Sequence, residues 1–119
     1  KLHADRRLYH IERILSADDL PIIYEHIYIP VSRVPDLQVE RLEGGSFTRM
    51  LSEEYNVQES EKGHSTVEVR MIPQSITEHL KMNTGEPVMI LTSYINDKEE
   101  NPLYISYEII AGGRYRISI

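Results

Sequence analysis

The stretch "YHIERILSADDLPIIYEHIYIP", residues 9–30, is two arms rich in β-branched and aromatic residues around an acidic turn. It reads as a β-hairpin. With a loop of three residues, Asp18 to Leu20, Arg13 falls opposite Glu25, and Tyr9, Ile11 and Leu15 fall opposite Ile29, Ile27 and Ile23. Side chains alternate along a strand, so this register places one Arg and one Glu in the middle of an otherwise apolar face. A two-residue loop would put Arg13 opposite Tyr24 and lose the apolar match. The three-residue loop is therefore expected, and a charged pair inside a hydrophobic surface is the first candidate site.

The rest of the chain suits a single domain, residues 1–119. At 119 residues, 40% hydrophobic and 27% charged, it can bury roughly two thirds of its unfolded surface around one core. No apolar run approaches the ~20 residues of a membrane span, and the basic start "KLHADRR" leads into no signal-type segment. A soluble, cytoplasmic protein is expected, without a membrane partner. The lack of cysteine removes disulfides, thiolate nucleophiles and cysteine-based zinc sites. A net charge of −6 and a pI near 5.3 argue against this segment gripping nucleic acid, which requires many phosphates to be neutralised.

Beyond the hairpin, "PVSRVPDLQVERLEGG" has the prolines and glycines of a connection with a helical turn. "SFTRMLSEEYN" places Phe47, Met50, Leu51 and Tyr55 on one helical stripe with Ser46 as N-cap. "GHSTVEVRMI" alternates Val67, Val69 and Met71 with Thr66, Glu68 and Arg70, a strand. "PQSITEHLKMNTG" predicts a short second helix from a Ser75-x-x-Glu78 capping box, Ile76 and Leu80 on one face and Gly85 beyond its end. "PVMILTSYIND", "PLYISYEII" and "RYRISI" predict three more strands. This order is that of an α+β domain, an antiparallel β-sheet with helices packed on it.

"LPIIYEHIYI" also matches "NPLYISYEII", Pro21 over Pro102 and Ile29 over Ile110. Carrying the first register across puts Tyr94 opposite Ser106. One face of the second hairpin then holds Met89, Leu91, Ile95, Leu103, Ile105 and Ile109. The other holds Thr92, Tyr94, Asn96, Tyr104, Ser106 and Glu108, either a solvated face or the wall of a small-molecule pocket.

Arg13 and Glu25 have two readings: a structural ion pair that fixes register, or a pair facing a cavity where the guanidinium fork holds an anionic ligand. "EGGSF" offers amides at the start of a helix that could hold a phosphate or carboxylate, although such segments are commonly plain turns. The five histidines, His3, His10, His26, His64 and His79, show no H-x-x-x-H or H-x-H spacing. His10 and His26 share a face only as diagonal neighbours, so no metal site is expected. Without cysteine, a G-x-S-x-G elbow, a P-loop or G-x-G-x-x-G, no catalytic residue or cofactor is expected.

In order and spacing, "LYHIERIL", "PIIYEHIYIP", "PDL", "GGSFTRMLSEEYNV", "TGEPVMILTSYIND" and "NPLYISYEIIAGGRYRI" together resemble the UTRA domain, the effector-binding half of HutC-type regulators in the GntR superfamily. The resemblance covers nearly the whole chain. It implies a chorismate-lyase-like fold that binds a small carboxylated or phosphorylated metabolite without catalysis. It also implies a homodimer, and DNA binding only through an N-terminal winged helix-turn-helix that is not among these residues. Arg13 matches the arginine that contacts the effector's anionic group, Glu25 a ligand-contacting acid, and Ser46 the serine near a bound phosphate. Tyr104 stands where an acidic residue lines the pocket. Phe47, Arg70 and Ser106 complete the expected ligand-binding set. Leu15 replaces a second arginine and "IIAGGRY" a more polar segment, which favours a carboxylate over a phosphosugar. A chorismate-lyase-like enzyme and a ligand-free dimerisation module are the alternatives.

Overall fold

The computed structural model describes residues 7–42 and 45–114. The first hairpin joins β1 (Leu8–Ala17) to β2 (Leu20–Pro30) through Asp18 and Asp19. Both turn residues have positive φ, 51° and 64°, the left-handed pair of a two-residue turn whose twist matches that of the strands. The loop is thus one residue shorter than expected. The register of the apolar face is nevertheless as read, with Arg13 opposite Glu25 and Leu15 opposite Ile23, because the pairing shifts between Leu15 and Ser16 and leaves Ile22 without a partner. A bulge in β2 absorbs the residue that the turn does not use.

The connection after β2 forms two short 3-10 turns, Val31–Arg33 and Val39–Leu42. Helix α1 spans Phe47–Tyr55, its Ser46 side chain accepts from the Arg49 amide at 3.2 Å, and Asn56 closes it in the left-handed conformation. This is a capped amphipathic helix as the sequence predicts. Its buried residues are Phe47, Met50 and Leu51, each contributing about 2 kcal/mol by leaving water. Strand β3 (His64–Met71) is followed by a 3-10 turn, Gln74–Ile76, and a single turn of helix, α2 (Thr77–Leu80). The expected capping box does not form: Ser75 lies within the 3-10 turn, α2 has no side-chain N-cap, and Lys81 rather than the Gly85 region ends the helix. The Pro73 backbone is extended and the 3-10 turn begins at Gln74, so Ser75 sits inside that turn and not at the start of a helix.

Strands β4 (Pro87–Asn96) and β5 (Pro102–Ala111) complete an antiparallel sheet of order β1-β2-β5-β4-β3. This is the α+β architecture expected. The two matching hairpins lie side by side, β2 against β5. Their registers differ by one residue, since Tyr94 faces Ile105 and Ser93 faces Ser106. The second turn is longer, and the Asp97 carboxylate accepts the Glu99 and Asn101 amides within it. Hence Tyr104, Ser106 and Glu108 share a face with Leu91, Ser93 and Ile95, not with Thr92, Tyr94 and Asn96. Arg114 belongs to a 3-10 turn, Gly112–Arg114, and donates to the Leu80 and Lys81 carbonyls at the end of α2. The remainder of the expected last strand, 115–119, lies outside the described residues.

Two cores form, one on each face. Ile27, Ile29, Phe47, Met50, Leu51, Leu103 and Tyr104 pack beneath α1. Tyr24, Ile72, Leu80, Val88, Ile90 and Ile109 pack on the opposite face, around α2. Strand β3 is exposed along its whole length, so Val67, Val69 and Met71 form an uncovered apolar row.

Candidate functional site

Because pairs in adjacent strands share a face, the sheet registers line up Arg13, Glu25, Glu108 and Leu91 in one row, on the face that α1 covers. Arg13 Nε donates to Glu25 Oε1 at 2.8 Å, and Nη2 approaches the same oxygen at 2.8 Å. Nη1 turns the other way. It donates to the carbonyls of Gly45 at 2.9 Å and Leu42 at 3.3 Å, tying the connection before α1 to the outer strand of the sheet. Both side chains are largely buried, Arg13 at 16% and Glu25 at 9% exposure.

A cleft of about 610 Å³ opens along β1, walled by Ile11 to Ser16 on one side and by Val39, Leu42 and Gly45 on the other. Arg13 is the cation in that wall, and the volume is that of a small-molecule site. On the other side of Glu25, the Glu108 carboxyl is pushed up to about 7 by burial, with the Glu25 charge and a hydrogen bond to Glu25 adding to the shift and Arg13 opposing it. Near neutral pH this carboxyl is therefore a proton donor as much as an anion.

The expected ligand-binding residues separate into four groups. Arg13, Glu25 and Ser106 share one face, with Ser106 buried in the next row between Ile27 and Ser93. Phe47 and Tyr104 belong to the core, edge to face at 5.0 Å, and the Tyr104 hydroxyl donates to Glu59 at 2.7 Å. Ser46 is exposed at the start of α1 with its oxygen used by the helix cap. Arg70 is not brought to the cleft: it pairs with Val88 on the opposite face and holds Glu68 at 2.8 Å. Two acids escaped the sequence reading. Glu108 was on the expected polar face without a role, and Glu59, which also accepts from Thr48 at 2.7 Å, lies in a segment with no periodic signal.

Among the described residues, no helix is long and apolar enough to cross a membrane. The family described as UTRA domain matches residues 1–116. A probable fructoselysine utilization operon transcriptional repressor of Escherichia coli is 24% identical over 113 residues, 94% of this chain and 46% of that protein; the chain thus spans about half the length of the curated relatives it matches. A GntR-family transcriptional regulator from Enterococcus faecalis superposes with a TM-score of 0.84 at 22% identity, covering 94% of this chain and 79% of that one. The ligand-binding domain of a GntR-family regulator from Bordetella bronchiseptica gives 0.84 at 16% identity over 94% and 72%. The family match extends over nearly the whole length: the chain belongs to the UTRA domain family.

Proposed function

We propose that this domain senses a small carboxylated metabolite for a HutC-type regulator of the GntR superfamily. In this reading the cleft along β1 receives the effector, and DNA contact is made by an N-terminal winged helix-turn-helix of the full-length protein, acting in the cytoplasm. The observation that carries it is Arg13, which lines the cleft while its guanidinium fastens the connection before α1 through the Gly45 and Leu42 carbonyls. A ligand carboxylate outcompetes neutral carbonyls for a guanidinium, because the charge-assisted bidentate pair is the stronger one. Binding at Arg13 would then exchange the tether for a ligand and release the start of α1, where Ser46 and the helix amides can share the negative charge. That is a two-state element of the kind allosteric coupling requires, and ~1–3 kcal/mol of difference between its states is sufficient. Glu25 and Glu108 flank the site, so a dianionic phosphate meets more repulsion than a monoanion does. Ser106 and Glu25 would set orientation, with Phe47 and Tyr104 as the apolar backing.

Native mass spectrometry of the chain purified from its own host should show a retained small acid that is missing from Arg13→Met. Binding at least tenfold weaker in that variant, about 1.4 kcal/mol, with the fold intact, supports the reading. Retention or affinity unchanged in Arg13→Met refutes it. The active unit is proposed to be a homodimer, supported by the uncovered row of Val67, Val69 and Met71, which are 58%, 72% and 63% exposed on an edge strand. Sedimentation as a monomer at tens of micromolar would count against this.

A further inference from the structure

On the face of the hairpin opposite Arg13, three metal-ligating side chains converge. His10 and Glu12 lie two apart on β1, on one face. Glu12 is directly opposite His26, and His10 is opposite Tyr28. The diagonal between the histidines closes completely, His10 Nε2 to His26 Nδ1 at 2.8 Å, and one ligand atom from each of His10, Glu12 and His26 lies within 4.8 Å of the other two. We propose that His10, Glu12 and His26 bind a divalent transition-metal ion of the zinc class on this face of the hairpin.

The donor set suits that chemistry: two imidazoles and a carboxylate are ordinary zinc ligands, and three protein ligands leave a fourth position for water or an external group. Metal–nitrogen bonds of ~2.0–2.1 Å put tetrahedral ligand atoms ~3.4 Å apart. The imidazole nitrogens must therefore separate by roughly half an ångström, and His10 and Glu12 are exposed and can yield. At 2.8 Å the two nitrogens share a hydrogen bond, which a metal ion would replace. The rings are held from several sides. His10 stacks on Tyr28 at 4.5 Å, Tyr24 lies against His26 at 4.5 Å, and His79 of α2 stacks on Tyr24 at 4.6 Å. The Tyr24 hydroxyl donates to Glu12, an outer partner of the kind that orients ligating carboxylates. Chain spacing hides this site, because its ligands come from two strands across a turn.

The test uses the chelator-stripped 119-residue chain. Zinc chloride titrated calorimetrically should bind one to one with micromolar or tighter affinity, and cobalt(II) should give the intense visible band of a tetrahedral site. His10→Gln and His26→Gln should each weaken zinc at least tenfold, and the double variant should lose the cobalt band, while His64→Gln changes neither. In NMR of the unaltered chain, zinc should move the His10 and His26 ring resonances and leave those of His64 in place, so the assignment does not depend on variants folding. Zinc weaker than about 100 μM, a cobalt band that survives the double variant, or ring shifts at other histidines would overturn the proposal.

Discussion

Replacing Arg13 with methionine keeps most of the apolar stem and deletes the charge, so it isolates what the guanidinium holds. Glu25 would lose the two nitrogens now at 2.8 Å and keep Glu108 as its cross-strand neighbour. Breaking a buried pair from one side costs ~3–5 kcal/mol, because a desolvated charge remains. The Arg13 side chain is one-sixth exposed, which points to the lower end. The freed Leu42 and Gly45 carbonyls add little, since Gly45 is exposed and water can replace the donor. The expected loss is about 3 kcal/mol at neutral pH. With the cation gone, the lowering pull of Arg13 on Glu108 is lost and that carboxyl's folded-state pKa rises further, so the loss should be smaller at pH 5 than at pH 8. Arg13→Met/Glu25→Met removes both charges and should recover about 2 kcal/mol of it. Urea unfolding followed by far-UV circular dichroism at both pH values measures both variants against the unaltered chain. A single-variant loss below about 1 kcal/mol, with no recovery in the double variant, would show that the pair is solvated and that the buried-charge reasoning fails.

Glu108→Gln should flatten the pH dependence of stability. The wild-type carboxyl has its folded pKa raised from 4.5 to about 7, so its contribution is complete below pH 4.5 and is lost as pH rises through 7. Solvent screening at this half-buried group limits that loss to ~1–2 kcal/mol, and a variant with an unchanged slope would refute the assignment. Asp19→Gly, at φ 64°, should stabilise by about 0.5–1 kcal/mol, because glycine carries no side-chain penalty in that conformation; chemical denaturation reads it. Leu51→Ala, at a fully buried position of α1, should cost ~2–5 kcal/mol, and a loss below 1 kcal/mol would mean that α1 is not docked as described.

What could be read in advance follows the reach of each signal. The α1 stripe and its Ser46 cap are contained in ten consecutive residues, and both form as read. The Arg13–Glu25 pairing was legible because a wrong register would have exposed a whole apolar face, even though the turn that produces it was misjudged. The second hairpin lacks such a penalty. Its two β5 faces both carry buried residues, Ile109 on one and Tyr104, Ser106 and Ile110 on the other, so apolar matching does not choose between registers one residue apart. The displacement of Thr92, Tyr94 and Asn96 from the Ser106 face follows directly. The fate of β3 was not legible either, because alternation predicts that Val67, Val69 and Met71 share a face but not that any element covers it.

The first hairpin carries charge and imidazole on opposite faces of the same two strands, and this has a mechanical consequence. Arg13–Glu25 and Glu12–His26 are consecutive cross-strand pairs. Whatever changes the separation of β1 and β2 on one face is felt on the other, since the pleat joins the two rows by a single residue step. Among the described residues β1 is the outer strand, paired only to β2, and the Arg13 tether reaches from it to the connection before α1. A carboxylate that pulls the guanidinium out of this arrangement and an ion that draws His10 and His26 apart act on the same ladder from its two sides. If both bind, their affinities should be coupled, and linkage requires the coupling to be equal in each direction. Zinc titrations with and without saturating effector measure that coupling; identical zinc affinities in the two would mean that the hairpin transmits nothing between its faces.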